Sequence, residues 1–240
     1  MDLDKCIYVW VEFLKKYNNA VLIEKNDFAF VIFPVKSSNF MFAMNNQLSI
    51  DKYITYPRIL IKDNEESSYS SCIGDMYKLE SSSTWFFFKP DNEYKLKDES
   101  IRLEDGLEGN NLFEISRIYS ITWLNNYNND SKLNNKLINS DEALVRNINS
   151  GFKYFLGTVN SKPVSIILTY NFNEYIYIYS ISTLPEFRNR GYMEMFIHEL
   201  ENMYIGKTIF LRTDSSGKAI NLYKKLSYQK VGISNMFRLL

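Results

Sequence analysis

The sequence has little of what disulfide scaffolds, metal sites and histidine-dependent catalytic triads require. Its 240 residues contain two cysteines, Cys6 and Cys72, which lack zinc-type spacing and a third or fourth partner. We expect both to be buried free thiols in a reducing compartment. His198 is the only histidine in the sequence, so a histidine cluster and a triad with a second histidine are excluded. No metal site is predicted.

Long apolar runs and an excess of one charge are missing as well. The longest apolar runs, such as 28–35, have the length of a strand and not of a membrane span. The first five residues are acidic and lack the apolar region of a signal peptide. Basic and acidic residues balance at 28 each, which argues against a nucleic-acid partner. These absences predict a soluble, cytoplasmic protein that does not bind membranes.

What the sequence does contain is a large supply of core-forming side chains, with 18 tyrosines and 17 phenylalanines. Two polar stretches interrupt it. Residues 63–71 are typical of a loop. Residues 125–139 include seven asparagines. Because asparagine favours turns and weakens helices, we expect a surface loop there with a short helix after Ser140.

The N-terminal half mixes helix and strand patterns. Apolar residues at helical spacing predict a helix over 6–17, and the turn at 25–27 joins two strand patterns into a hairpin. The remaining predicted elements are strands at 39–44, 58–62 and 84–89 and a helix at 73–80. We assign residues 1–98 to a smaller α+β domain.

The C-terminal half, residues 99–240, has a clearer order. Its patterns follow one another as β-α-α-β-β-β-α-β-α-β-β, which predicts an α+β domain with a mostly antiparallel sheet flanked by helices. The helices are predicted at 111–125, after Ser140, at 191–204 and at 216–226, and the strands at 101–103, 152–159, 163–172, 174–183, 208–213 and within 228–240.

The segment 181–193 has the chemistry of an anion site. It places a strand end, Pro185, a polar turn with Arg188 and Arg190, and Gly191 directly before a helix. The first N–H groups of a helix have no internal partner, and the helix dipole adds partial positive charge there. A glycine lets a phosphate approach the backbone closely. The segment therefore predicts a phosphate-binding helix start.

This segment resembles the pyrophosphate loop of the GCN5-related N-acetyltransferase (GNAT) superfamily, a Gln/Arg-x-x-Gly-x-Gly/Ala pattern. The matching residues are Arg188, Asn189, Arg190, Gly191, Tyr192 and Met193. The resemblance implies that they bind the diphosphate of acetyl-CoA and that Ile181, Ser182 and Thr183 pair with its pantetheine arm. Met193 departs from the second Gly/Ala, but such loops contact phosphate mainly through backbone N–H groups.

A second segment, 216–228, is similar to the superfamily's Asn-x-x-Ala-x-x-Leu-Tyr-x-x-x-Gly-Phe element. Ser216 stands where the family often has Asn and joins the implied cofactor-binding set, while Ser227 and Tyr228 replace Gly-Phe. The resemblance gives Tyr223 the role of a general acid that protonates the departing CoA thiolate, which a phenol with a pKa near 10 can do. Without the family pattern, an aromatic residue on an amphipathic helix is more often part of the core.

Acyl transfer to an amine also needs the amine deprotonated, by a carboxylate, a water chain or solvent. Glu174 begins the predicted central strand, near where many relatives hold such a carboxylate, although a strand start would equally place a solvated charge there. Asp214 is a weaker candidate for the base. We expect His198 to be a partly exposed surface histidine. Residues 85–88 either line a substrate pocket or form a buried strand.

The resemblance implies an acetyl-CoA-dependent N-acetyltransferase that moves the acetyl group to a primary amine of a small molecule or peptide by direct attack, without a metal. A faint likeness of residues 1–98 to a shortened, degenerate copy of the same fold implies a tandem form. Residues 1–98 would then line the acceptor site or mediate homodimerisation. Two alternatives stay open: a noncatalytic acyl-CoA sensor or interaction module, and an aminoacyl- or peptidyl-type transferase, which would need a basic groove for tRNA.

Overall fold

The structure, a computed structural model, describes residues 1–17, 20–25, 28–32, 40–43, 58–63, 77–95, 100–124 and 151–240. The chain forms two compact units, the first made of Met1–Phe87 and Phe210–Leu240 and the second of Phe88–Ile209. These units differ from the predicted division into 1–98 and 99–240. The reason is that the last strand of the chain pairs with two strands of the N-terminal half.

The described elements follow one another in mixed order along the chain. The helices are α1 (Leu3–Tyr17), α2 (Asn111–Leu124), α3 (Tyr192–Met203) and α4 (Ala219–Lys225), and a 3₁₀ turn covers Pro185–Phe187. The strands are β1 (Val21–Lys25), β2 (Phe28–Ile32), β3 (Phe40–Ala43), β4 (Arg58–Asp63), β5 (Tyr77–Phe88), β6 (Ile101–Asp105), β7 (Phe152–Val159), β8 (Lys162–Phe172), β9 (Tyr175–Thr183), β10 (Thr208–Asp214) and β11 (Gln229–Leu239).

The first unit holds its sheet in the order β1-β2-β3-β4-β11-β5-β10. Its core centres on Trp85, which is fully buried. The indole stacks on Phe210 at 6.5 Å, meets Trp10 edge-on at 5.9 Å and donates its Nε1–H to the Ser234 hydroxyl at 2.8 Å. The Arg212 guanidinium covers Trp10 at 4.2 Å from the ring centroid. Trp85 is therefore a core residue, as expected for a buried strand.

The second unit has the strand order β9-β8-β7-β6, and all three neighbouring pairs are antiparallel. Helices cover both faces of this sheet. A side chain at Gly106 would collide with Ile115 of α2 and with Tyr154 of β7, and one at Gly157 of β7 would meet the Phe196 ring of α3 at 2.8 Å. Residues three apart on a strand point to opposite faces. Tyr154 and Gly157 therefore place α2 and α3 on opposite sides.

Most predicted elements and the predicted fold class are confirmed, because mostly antiparallel strands flanked by helices make up both units. The helix predicted at 73–80 is wrong in its described part, since residues 77–80 begin β5 and Leu79 pairs with Phe237 of β11. Residues 229–239 form one strand. The loops predicted at 63–71, apart from Asp63, and at 125–139 lie outside the described residues, as does the helix after Ser140.

No helix within the described ranges is both long and apolar enough to pass through a membrane.

Candidate functional site

Helix α3 begins at an open end. Its N-cap is Gly191, which has φ 80° and contributes no side-chain cap. The first hydrogen bond of the helix runs from the Met195 N–H to the Gly191 carbonyl at 3.4 Å. The N–H groups of Tyr192 and Met193 precede that bond, so they point out of the helix end, where the dipole favours an anion.

Gly191 is needed for its backbone conformation and leaves open space beside it. A Cβ built there meets no atom within 4 Å, but a φ of 80° is strained for any residue with a side chain. Asn189, two residues earlier, also has a positive φ of 60°, which asparagine tolerates better than most residues. The loop thus turns sharply twice and exposes its backbone at the helix entry.

Two arginines of this loop are exposed and held differently. The Arg188 Nε–H donates to the Thr183 carbonyl at 2.9 Å, which fastens the loop to the end of β9. The Arg190 guanidinium lies over the Phe187 ring at 5.6 Å from its centroid. The structure therefore brings both predicted arginines to the helix entry together with Gly191.

The predicted pantetheine residues lie at the C-terminal end of β9, directly before the loop. Ile181, Ser182 and Thr183 are half-buried and pair with β8 on one side. The Ser165 hydroxyl donates to the Thr183 Oγ1 at 2.9 Å. The end of β9 thus leads directly into the loop and is joined to it by the bond from Arg188 to Thr183.

A β-bulge in β9 was missed by the sequence reasoning. The pairing with β8 shifts between Leu168–Ser180 and Thr169–Ile178, so Tyr179 is an extra residue in β9. A bulge twists a strand and re-aims its backbone groups. The signal was present in the sequence of β9: Ile176 and Ile178 occupy even positions, whereas Ile181 occupies an odd one.

Tyr223 lies in the core of the first unit. Its ring packs 5.8 Å from both Phe86 and Tyr228, and the residue is 3% exposed. Burial raises the pKa of the phenol well above its ordinary value. Among the described residues, no hydrogen bond involves its hydroxyl. The core interpretation of Tyr223 is therefore correct, and the acid role stays a prediction.

Ser216 closes a turn after β10 in the first unit. Its N–H and its hydroxyl both donate to Asp214 Oδ1, at 2.8 and 2.7 Å, so both of its donors are engaged with a carboxylate. The same two bonds lower the pKa of Asp214. A carboxylate with a lowered pKa is a weaker base, and the binding role of Ser216 stays a prediction.

Glu174 is exposed in the turn between β8 and β9. Its carbonyl accepts the Thr208 N–H at 2.9 Å. β9 has 9 residues, so at about 3.3 Å per residue roughly 30 Å of strand separate Glu174 from Thr183. The structure therefore does not bring the predicted base together with the loop.

His198 is packed against a neighbouring segment. Its imidazole stacks on Tyr94 at 3.8 Å, and Nδ1 lies 2.8 Å from the buried Glu201 carboxylate. The Asn202 side chain bonds both the N–H and the carbonyl of Tyr94, each at 2.7 Å. The histidine thus helps to hold the 89–95 segment on α3. Within the described ranges, no cluster of three His, Cys, Asp or Glu side chains could hold a metal.

Comparison with known proteins matches residues 115–228 to the model of the acetyltransferase (GNAT) family. This segment contains β7 to β9, the loop and α3. Residues 115–228 are therefore similar to the acetyltransferase (GNAT) family. The match does not extend into the N-terminal half. No curated protein matches the chain.

Solved structures share the fold over nearly the whole chain. A functionally unknown conserved protein from Staphylococcus epidermidis is 13% identical with a TM-score of 0.71, over 95% of this chain and 96% of its own. A GCN5-related N-acetyltransferase from Kribbella flavida is 10% identical, with a TM-score of 0.63, over 100% and 96%. One from Sphaerobacter thermophilus is 11% identical, with a TM-score of 0.61, over 95% and 84%. At these identities the likeness shows the fold alone.

Proposed function

We propose that this chain is an acetyl-CoA-dependent N-acetyltransferase that moves an acetyl group to a primary amine of a small molecule or peptide by direct attack. The observation that carries the proposal is the open N-terminal end of α3. There a glycine cap in a left-handed conformation and two arginines lie within a GNAT-matched segment.

The residues at this end fit a CoA diphosphate. The first-turn N–H groups of Tyr192 and Met193 would donate to its oxygens, Arg188 would add charge, and the open space beside Gly191 leaves room for it. The end of β9 would hold the pantetheine arm through backbone groups. When bound, the cosubstrate supplies the acetyl thioester.

Acetyl transfer needs assistance at three atoms: the carbonyl oxygen, the sulfur and the amine nitrogen. The amine nitrogen forms a bond to the acetyl carbon, the carbon–sulfur bond breaks, and the sulfur takes up a proton. Strand N–H groups near the Tyr179 bulge would polarise the carbonyl oxygen. Tyr223, kept protonated by its burial, is our proposed proton donor to the sulfur.

The proton of the attacking amine needs a separate route. Glu174 is the carboxylate that the sequence predicts as the base. Its exposed position at the end of β9 opposite the loop favours a route that does not use it. We propose that water takes the proton that the nitrogen loses as the amide forms, and also the extra proton of an amine that arrives protonated.

A thermal-shift titration with CoA and acetyl-CoA tests the binding step. A ligand that binds only the native state raises the free energy of unfolding, by about 2.7 kcal/mol at a concentration one hundred times its Kd. The melting temperature rises as a result. We expect such a rise for the natural chain and its loss in Gly191→Asp, because a carboxylate at the helix entry crowds and repels the diphosphate.

Gly206→Asp is the matched control for that variant. Gly206 lies just beyond the other end of α3, with a φ of 81° and nothing within 4 Å of an added Cβ. Both variants introduce the same charge and backbone strain of about 1–2 kcal/mol. A natural chain that shows no shift, or a Gly191→Asp variant that shifts like the Gly206→Asp control, would remove the binding site. Binding without turnover on any amine would indicate the acyl-CoA sensor instead.

A further inference from the structure

The loop before α3 carries two guanidinium groups with different free donors. Arg188 uses its Nε–H on the Thr183 carbonyl at 2.9 Å, which leaves its two terminal NH₂ groups for a ligand. Arg190 is held by the Phe187 ring at 5.6 Å. Among the described residues it makes no hydrogen bond. All five of its N–H donors therefore stay available in a pre-ordered plane.

The two arginines also have anchors on different sides of the helix entry. Arg188 is tied back to the end of β9. Arg190 lies over Phe187, whose ring is 6.4 Å from Tyr192, the first residue of α3. One cation is thus fixed on the strand side of the loop, and the other is fixed on the side of the helix start.

CoA has its groups in a fixed chemical order. The pantetheine arm is followed by the diphosphate and then by an adenosine that carries a 3′-phosphate. If the arm follows β9 and the diphosphate lies at the first turn of α3, the 3′-phosphate falls beyond the loop, away from the strand. A phosphate monoester carries a charge of about −1.5 to −2 at pH 7, which suits the planar fork of an unengaged arginine.

We infer that Arg190 recognises the 3′-phosphate and so makes the site select CoA over 3′-dephospho-CoA, while Arg188 serves the diphosphate that both ligands share. This inference rests on the proposed CoA site. It assigns to Arg190 a role in specificity and to Arg188 a role in affinity.

Calorimetric titration of both ligands at constant ionic strength tests the assignment. The natural chain should bind CoA about tenfold more tightly than 3′-dephospho-CoA, the effect of one charge-assisted contact. Arg190→Gln should reduce that ratio to about threefold or less by weakening CoA alone. Arg188→Gln should weaken both ligands by the same factor and keep the ratio. Lys153→Gln removes an exposed positive charge from β7 of the same unit and should change neither affinity.

Two results would overturn the inference: equal affinity of the natural chain for both ligands, or an unchanged ratio in Arg190→Gln. Arg190→Lys is a further variant for the same titration, because it keeps the charge but loses the planar fork of donors. A ratio between those of the natural chain and Arg190→Gln supports recognition by the fork, and a full ratio contradicts it. If the natural chain binds neither ligand, the CoA site itself fails and the assignment falls with it.

Discussion

At the scale of single residues, burial sets the protonation state of the Tyr223 phenol. The residue is 3% exposed, between Phe86 and Tyr228. Removing water disfavours the charged phenolate, which raises the pKa of the phenol. Tyr223 therefore keeps its proton throughout the neutral range. That is the state a proton donor needs, although a high pKa also makes it a weak acid.

Tyr223→Phe should lower kcat by about a hundredfold, the lower end for a lost general acid, and should leave the Kd for CoA unchanged within about twofold. Stability should stay the same, because the ring packing remains and no hydrogen bond of the hydroxyl is lost among the described residues. Steady-state kinetics and calorimetry measure the two effects. Tyr228→Phe, in the same aromatic cluster, is the control, and an equal kcat for both variants would remove the acid role.

Glu174→Gln should change kcat/KM by less than about twofold, and the acid limb of the pH profile should stay in place. The physical reason is the exposed position of Glu174 at the end of β9 opposite the loop. Glu108→Gln, also at an exposed turn of the second unit, controls for the loss of one charge. A tenfold drop confined to Glu174→Gln would instead make this carboxylate the base.

At the scale of elements, α3 has a proposed anion-binding start and a partly buried carboxyl, Glu199, in its middle. Glu199 accepts a hydrogen bond from the backbone of Leu103 on the edge strand β6, and Arg102 adds attraction. Its Oε2 is buried without a hydrogen-bond partner among the described residues. Desolvation outweighs both favourable contacts and raises the pKa of the carboxyl. The charged form is therefore disfavoured in the folded protein.

Glu199→Gln should raise the melting temperature at pH 7 and have little effect near pH 4. With a folded pKa above the unfolded one, the favourable contribution of this carboxyl is complete below the unfolded pKa. It is lost as the pH rises through the folded pKa. The gain should be on the order of 1–2 °C, because solvent screens part of the penalty. Calorimetry across the pH range measures it, with Glu108→Gln as control. A gain of equal size at pH 4 would contradict the titration argument.

At the scale of the whole molecule, the two ends of the chain build one unit together. β11 pairs with β4 along one edge and with β5 along the other. Trp85 of β5 bonds Ser234 of β11, and Phe86 packs on Tyr223 of α4. The C-terminal part of the GNAT-like half therefore depends on strands from the N-terminal half for its core.

A fragment of residues 99–240 should not fold cooperatively. Without β4 and β5, β11 loses its hydrogen bonds on both edges. Tyr223 also loses its packing against Phe86, so apolar surface becomes exposed. Thermal melting followed by near-ultraviolet circular dichroism, with binding of a hydrophobic dye, compares it with the full chain. A fragment that melts cooperatively and binds CoA would restore the predicted boundary at residue 98.

The sequence by itself determined the local features that depend on neighbours within a few residues. Gly191 before a helix, the arginines of the loop and the antiparallel succession of β7, β8 and β9 follow from periodicity, turn chemistry and the free N–H groups of a helix start. The GNAT resemblance came from the same short segments. Such features carry their cause in adjacent residues, so they can be predicted.

Only the tertiary structure decided what depends on distant partners. In the structure β11 lies between β4 and β5, and residues 77–80 form strand where a helix was predicted. Both donors of Ser216 bond Asp214, and Glu174 lies at the end of β9 opposite the loop. Strand pairing, burial and desolvation are sums over residues far apart in the chain. No local pattern fixes them, because they arise only when the whole core has closed.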